Sequence, residues 1–227
     1  MDQAKSPSGG RRTRLIIAGV VAAVLVIVAA FAAGSLSRPV VTAPSTTSAE
    51  AGFARDMQTH HGQAVEMSLI VRDLTDDEDV RLLAYDIATS QSQQAGQMAG
   101  WLNVWNVPQT SPEAEMTWMS RPPLKGVSHE GMSEMGTGET AHDPGSAMPG
   151  MATAEQLASL KAATGVEAER QYLTLMIAHH QGGVEMADAV LVRTNERVVR
   201  SLAASIVKAQ TSEIGYMQDL LAALPAA

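Results

Sequence analysis

The sequence predicts an all-α protein: an antiparallel four-helix bundle built from two duplicated helical hairpins, preceded by one N-terminal transmembrane helix. Three observations carry this. Residues 15–33 run for nineteen positions without a charged side chain. The segment from Phe53 is repeated from Tyr172 at one constant offset. In both copies apolar positions recur at i, i+3 and i+4, and no sustained strand alternation occurs anywhere.

In chain order, residues 1–14 hold Lys5, Arg11, Arg12 and Arg14 against Asp2, a local charge of +3 in a chain of net charge −8, so the remainder carries −11. The apolar run that follows nearly spans a hydrocarbon core of about 30 Å at ~1.5 Å per residue. Basic residues are retained on the cytoplasmic side. Residues 1–14 are therefore read as a cytoplasmic segment and 15–34 as a transmembrane signal anchor in the plasma membrane, with the rest outside. Small residues around Ala30–Gly34 also suit signal cleavage, which would release a secreted or periplasmic protein. The length of the run favours the anchor. Residues 35–49, rich in Ser, Thr, Ala and Pro, read as a linker.

The first hairpin is expected over 50–106 and the second over 152–225. Met57, His60, His61, Val65, Glu66 and Met67 match Met176, His179, His180, Val184, Glu185 and Met186, an offset of 119. The same offset continues through Arg81/Arg200, Ile87/Ile206, Gln91/Gln210 and Met98/Met217 without a gap. Thr75-x-x-Glu78 is a candidate capping box for the second helix, Thr164-x-x-Glu167 for the third long helix, Thr153-x-x-Gln156 for a short helix that precedes that third one, and Asn195 a cap for the fourth. Residues 107–151 hold Pro, Gly, Met and His without a period, and read as a loop.

Each hairpin places Met, His and Met on one helical face: Met57, His60 and Met67 in the first copy, Met176, His179 and Met186 in the second. His61 and His180 lie about 100° round the axis. Small residues one turn on (Gly62 and Ala64; Gly182 and Gly183) leave space where helices approach. A single such Met or His is ordinary packing. Two histidine doublets in one bundle bring ring nitrogens that need partners, and a metal supplies one. The candidate ligands are Met57, His60, His61, Met67, Met176, His179, His180 and Met186. Glu66, Glu185, Gln91, Gln210, Glu213, Met98 and Met217 are candidates for supporting groups around them. Thioether with imidazole suits copper, Cu(I) first, with Cu(II), Ag(I) or Zn(II) as further candidates. In the loop, Met116, Met119, His129, Met132, Met135, His142, Met148 and Met151 suggest a second, weaker and mobile soft-metal site.

Composition removes other classes. With no Cys, disulfide scaffolds, thiolate chemistry, iron–sulfur clusters and a lipidated N-terminal Cys are excluded. The acidic balance argues against a nucleic-acid surface.

The passages from Phe53 to Met67, with its His60-His61-Gly-Gln-Ala-Val-Glu-Met, and from Met148-Pro-Gly-Met151 to Met186 resemble the family named domain of unknown function 305. Its hallmark is a duplicated Met-x-x-His-His motif, and the resemblance covers about 50–224. It implies a ferritin-like, exported four-helix bundle, with copper binding and copper tolerance in some periplasmic members. Carried over by motif, it points to the eight Met and His positions above. Gln94 departs from the pattern, where the second copy has Glu213.

The leading expectation is a membrane-tethered copper-binding protein acting as buffer, chaperone or tolerance factor, without catalytic turnover. A homo-oligomer or an envelope copper-handling protein would be its partner. A ferritin-like redox enzyme and a metal-free interaction module are the alternatives. The enzyme is disfavoured because the second and fourth helices of the bundle contain no His and neither Glu66 nor Glu185 starts a Glu-x-x-His motif.

Overall fold

A computed structural model describes residues 9–36, 43–125 and 142–225. Among them are six α-helices, a 3-10 turn and no strand: α1 (Gly9–Leu36), α2 (Ala49–Leu74), α3 (Glu78–Val104), the turn Thr117–Ser120, α4 (Ala154–Ala162), α5 (Gly165–Leu191) and α6 (Arg197–Ala223). The chain divides into two compact units, Met1–Ala43 and Pro44–Ala227. In the first, α1 carries a stretch, Thr13–Gly34, long and apolar enough to cross a bilayer.

The second unit is the four-helix bundle. α3 packs along α2, α6 along α5, and α2 meets α5, while α4 lies on both. The helix starts differ from the sequence expectation in instructive ways. Asp77, not Thr75, caps α3, its carboxylate accepting from Val80 N at 2.9 Å. Thr75 ends α2 instead, and its hydroxyl donates to the buried Glu169. Glu196 rather than Asn195 precedes α6 and makes no side-chain cap, and Thr164 precedes α5 without one. The Thr153/Gln156 capping box forms as expected. A side-chain cap satisfies an otherwise orphaned N–H, so Asp77→Ala is expected to cost about 1 kcal/mol in urea unfolding. Thr164→Ala should leave the midpoint unmoved.

The core falls into two apolar clusters. One joins Met57 of α2, Met98 of α3 and Met186 of α5, with Val199, Leu202 and Ile206 of α6. The other joins Met67, Met176 and Met217 with Leu83, Ile87 and Ile214. The 119-residue offset turns the first methionine set into the second, so the clusters are images of one another about a pseudo-twofold axis. On each of the four bundle helices buried polar side chains lie between them: His60 and His61 on α2, Gln91 on α3, His179 and His180 on α5, Gln210 on α6. All six are buried. A polar layer thus divides the bundle at mid-height.

Candidate metal centre

All four layer histidines are fully buried. The rings of His60 and His179 stack with centroids 3.8 Å apart, and each lies 6.4 Å from the other ring of its own doublet. Each ring is held through Nε2. His60 Nε2–H donates to the Pro149 carbonyl at 3.0 Å, and His179 Nε2–H to the His60 carbonyl at 3.0 Å. His61 Nε2 donates to the Gln94 amide oxygen at 2.7 Å, and His180 Nε2 to the Glu213 carboxylate at 2.8 Å. A carbonyl or carboxylate oxygen can only accept, so these Nε2 atoms carry the proton and Nδ1 is left with its lone pair.

None of the four Nδ1 atoms has a partner. Burial pushes His60 down to about 4, and burial followed by the charge of His60 pushes His61 down to about 3. His179 lies well below its ordinary value for the same reason, with His60, His180 and His61 all acting on it. His60, His61 and His179 are therefore held neutral, and all four rings present an Nδ1 without a partner. Gln91 and Gln210 add both atoms of two unpartnered amides. Each orphaned buried polar group costs about 1–3 kcal/mol. A fold carrying this many at one level gives up stability for a ligand or for internal water.

An imidazole anchored through one nitrogen by carbonyl or carboxylate, with the other nitrogen free, is how metal-bound histidines are oriented. By ligand type, imidazole nitrogen suits copper or zinc, and thioether sulfur suits Cu(I). Among the described residues no three His, Asp or Glu side chains converge on one point.

The remaining sequence candidates are distributed as follows. Met57 and Met186, with Met98, lie in the apolar cluster on one side of the layer, and Met67 and Met176, with Met217, in the cluster on the other. Glu66 is half-exposed and pairs with Lys161 at 2.9 Å, away from the doublets. Glu185 does hold an imidazole, but that of His142, at 2.7 Å. Gly62 is exposed with nothing near it, so it makes no room for a helix. Gly183 makes room for the Gln210 amide.

The loop reading needs correction. Met116 and Met148 are buried in the first apolar cluster and Met119 and Met151 pack against it, so these four are core rather than a separate mobile site. His129, Met132 and Met135 lie outside the described residues. The loop is also pinned at its start, where Arg55 donates to the Pro108 and Thr46 carbonyls.

Sequence reasoning missed the strap 148–152. Pro149 supplies the acceptor for His60, and Gln63 clamps Ala152 from both sides, its amide nitrogen donating to Ala152 O at 2.9 Å and its oxygen accepting from Ala152 N at 2.7 Å. Gly150, at φ +71°, sits where a Cβ would strike the Ala178 carbonyl, and a Cβ at Gly182 would strike that of Pro149. One signal was available: Gln63 and Gly182 occupy equivalent repeat positions and could hardly differ more in size.

Fold and site together define a class, duplicated helical-hairpin bundles with an imidazole layer across the middle. The chain belongs to the family described as Domain of unknown function (DUF305), whose model matches residues 50–221. It is 47% identical to a DUF305 protein from Streptomyces coelicolor, covering 78% of this chain and 94% of that one with a TM-score of 0.66. A DUF305 fragment from Deinococcus radiodurans is 33% identical, covering 78% and 97% at TM-score 0.58. CopM in its Cu(I)-bound form shares the fold at 20% identity and TM-score 0.52, covering 74% of this chain and 91% of that one. No curated protein matches.

Proposed function

We propose that this is a copper-binding protein held at the outer face of the membrane by α1, acting as a Cu(I) buffer or chaperone through Met and His ligands in the bundle. The single observation that supports the reading most is the set of four buried Nδ1 lone pairs, each on a ring anchored through Nε2. His60, His61, His179 and His180 would supply nitrogen, and Met57, Met67, Met176 and Met186 sulfur from the flanking clusters. CopM, similar in fold and known in Cu(I)- and Cu(II)-bound forms, makes copper the first metal to try. Retention of the apolar helix as an anchor belongs to the same reading; the Streptomyces relative is described as secreted.

Competition titration of the full-length protein in detergent against a chromophoric Cu(I) chelator tests it. His60→Ala/His61→Ala and His179→Ala/His180→Ala are each expected to weaken Cu(I) binding at least a hundredfold, and Zn(II) should compete poorly. Equal affinity in the wild type and both variants would remove the histidine layer from the reading.

A further inference from the structure

A metal bound in the layer must pass a bundle whose four rings have no exposed surface. Among the described residues, one surface groove shares a side chain with the hydrogen bonds of the layer. Between α3 and α6 lies a groove of about 270 Å³ lined by Leu82, Leu83, Asp86, Ser212, Glu213 and Tyr216. Glu213 is part of its wall, with its side chain 28% exposed, yet the same carboxylate holds the fully buried His180. Three residues earlier on α6 is Gln210, buried with neither amide atom partnered.

The repeat supplies an internal control. The positions equivalent to Asp86, Glu213 and Tyr216 are Ser205, Gln94 and Gln97, all neutral. The duplicated hairpins agree through the Met-x-x-His-His core and diverge here, so one end of the seam is acidic and the other is not. The negative field extends past the groove itself. Partial desolvation and the charges of Asp79 and Asp77 hold the Tyr216 hydroxyl above its ordinary range, and Glu213 acts on the buried Tyr172 in the same sense.

We infer that the α3/α6 groove is the port through which a soft monovalent cation reaches the histidine layer, gathered by Asp86 and handed inward past Glu213 to His180. This rests on the metal-binding reading above. A cleft lined by one sign of charge raises the local concentration of the opposite ion and its association rate by about 10- to 1000-fold. The layer beyond offers four Nδ1 atoms and two amides without partners as donors for a cation.

Aqueous Ag(I) is the probe, with stopped-flow tryptophan fluorescence for rates and competition titration for affinity, on the full-length protein in detergent. Two variants perturb the groove, with a third as control: Asp86→Asn removes charge, and Ser212→Trp fills the groove from an exposed position. A group on the path but not at the seat changes the barrier in both directions. Association and dissociation are therefore expected to slow together, about tenfold or more, while Kd stays the same. The wild-type association rate should fall with added salt, and Asp86→Asn should lose most of that slope. Gln93→Trp, at the repeat position equivalent to Ser212, should leave both rates alone. Unchanged rates in Asp86→Asn and Ser212→Trp, with Ag(I) still bound tightly, would overturn the port and leave the histidine centre standing. Weaker Kd at unchanged association rate would overturn it too, and a wild type that takes up no Ag(I) would overturn both proposals.

Discussion

Lowering the pH of the metal-free protein from 8 to 5 is expected to remove about 4 kcal/mol of stability through His60 and His61, a large share of the about 5–15 kcal/mol that holds a typical domain folded, with His179 adding in the same direction. The sign follows from His60, His61 and His179, whose folded-state pKa values are depressed by burial, the first two to about 4 and about 3. In the unfolded chain each titrates near 6.5, so between that value and the folded one the unfolded state binds protons that the folded state refuses. Stability is then complete above about pH 6.5 and is lost as pH falls, at up to about 1.4 kcal/mol per unit per histidine. At pH 5 His60 and His61 each contribute roughly 2 kcal/mol of loss, and His179 acts in the same direction. Asp56 and Asp188, raised by desolvation, act in the opposite sense. Urea unfolding followed by far-ultraviolet circular dichroism at pH 8, 6 and 5 measures the effect. His60→Gln/His179→Gln, which removes two of the titrating groups, should flatten the profile. A wild-type midpoint independent of pH over this window would mean that the rings are not held neutral in a dry layer.

The same rings show how far the sequence could be read. Helical period and the constant offset reached the bundle, its duplication and the facing doublets, because burial of an apolar stripe is a property of spacing alone. The division of the four candidate methionines between two clusters was not legible. It follows from the antiparallel pairing of α2 with α5, which sends Met57 to the end of the bundle that holds Met186. Capping failed at Thr75 because its hydroxyl found a buried carboxylate, Glu169, from another helix. A local rule gives way when a long-range partner competes for the same group. Methionine in Pro- and Gly-rich sequence read as loop, yet Met116 and Met148 are buried because Asp56 and Gln63 tie the backbone near them to α2. Non-local hydrogen bonds of that kind leave no periodic trace.

The pseudo-twofold axis is broken at the strap, and Gly150→Val should show how much depends on it. Symmetry would pair the bond from His179 Nε2 to the His60 carbonyl with one from His60 Nε2 to the His179 carbonyl. The Pro149 carbonyl accepts from His60 instead. Pro149 can reach it because Gly150 lies at φ +71° against the Ala178 carbonyl and Gly182 offers no side chain. Placing a β-branched residue at Gly150 adds about 1–2 kcal/mol for the left-handed backbone. The overlap with a helix carbonyl cannot be relieved by a rotamer, so the whole loss is expected to reach about 4 kcal/mol, in the range of severe single substitutions. Gln63→Ala, which keeps the backbone geometry and frees only the clamp on Ala152, is expected to cost about 1–2 kcal/mol. Stability alone would not separate a strap that matters to the histidines from one that merely packs. Nitrogen-15 chemical shifts of the imidazoles would. Loss of the Pro149 acceptor should alter the His60 ring, through tautomer exchange or rotation, while His61 and His180, held by Gln94 and Glu213, keep their shifts. If Gln63→Ala destabilises as expected but leaves the His60 shifts as in the wild type, the strap contributes packing and does not set the tautomer that leaves Nδ1 bare.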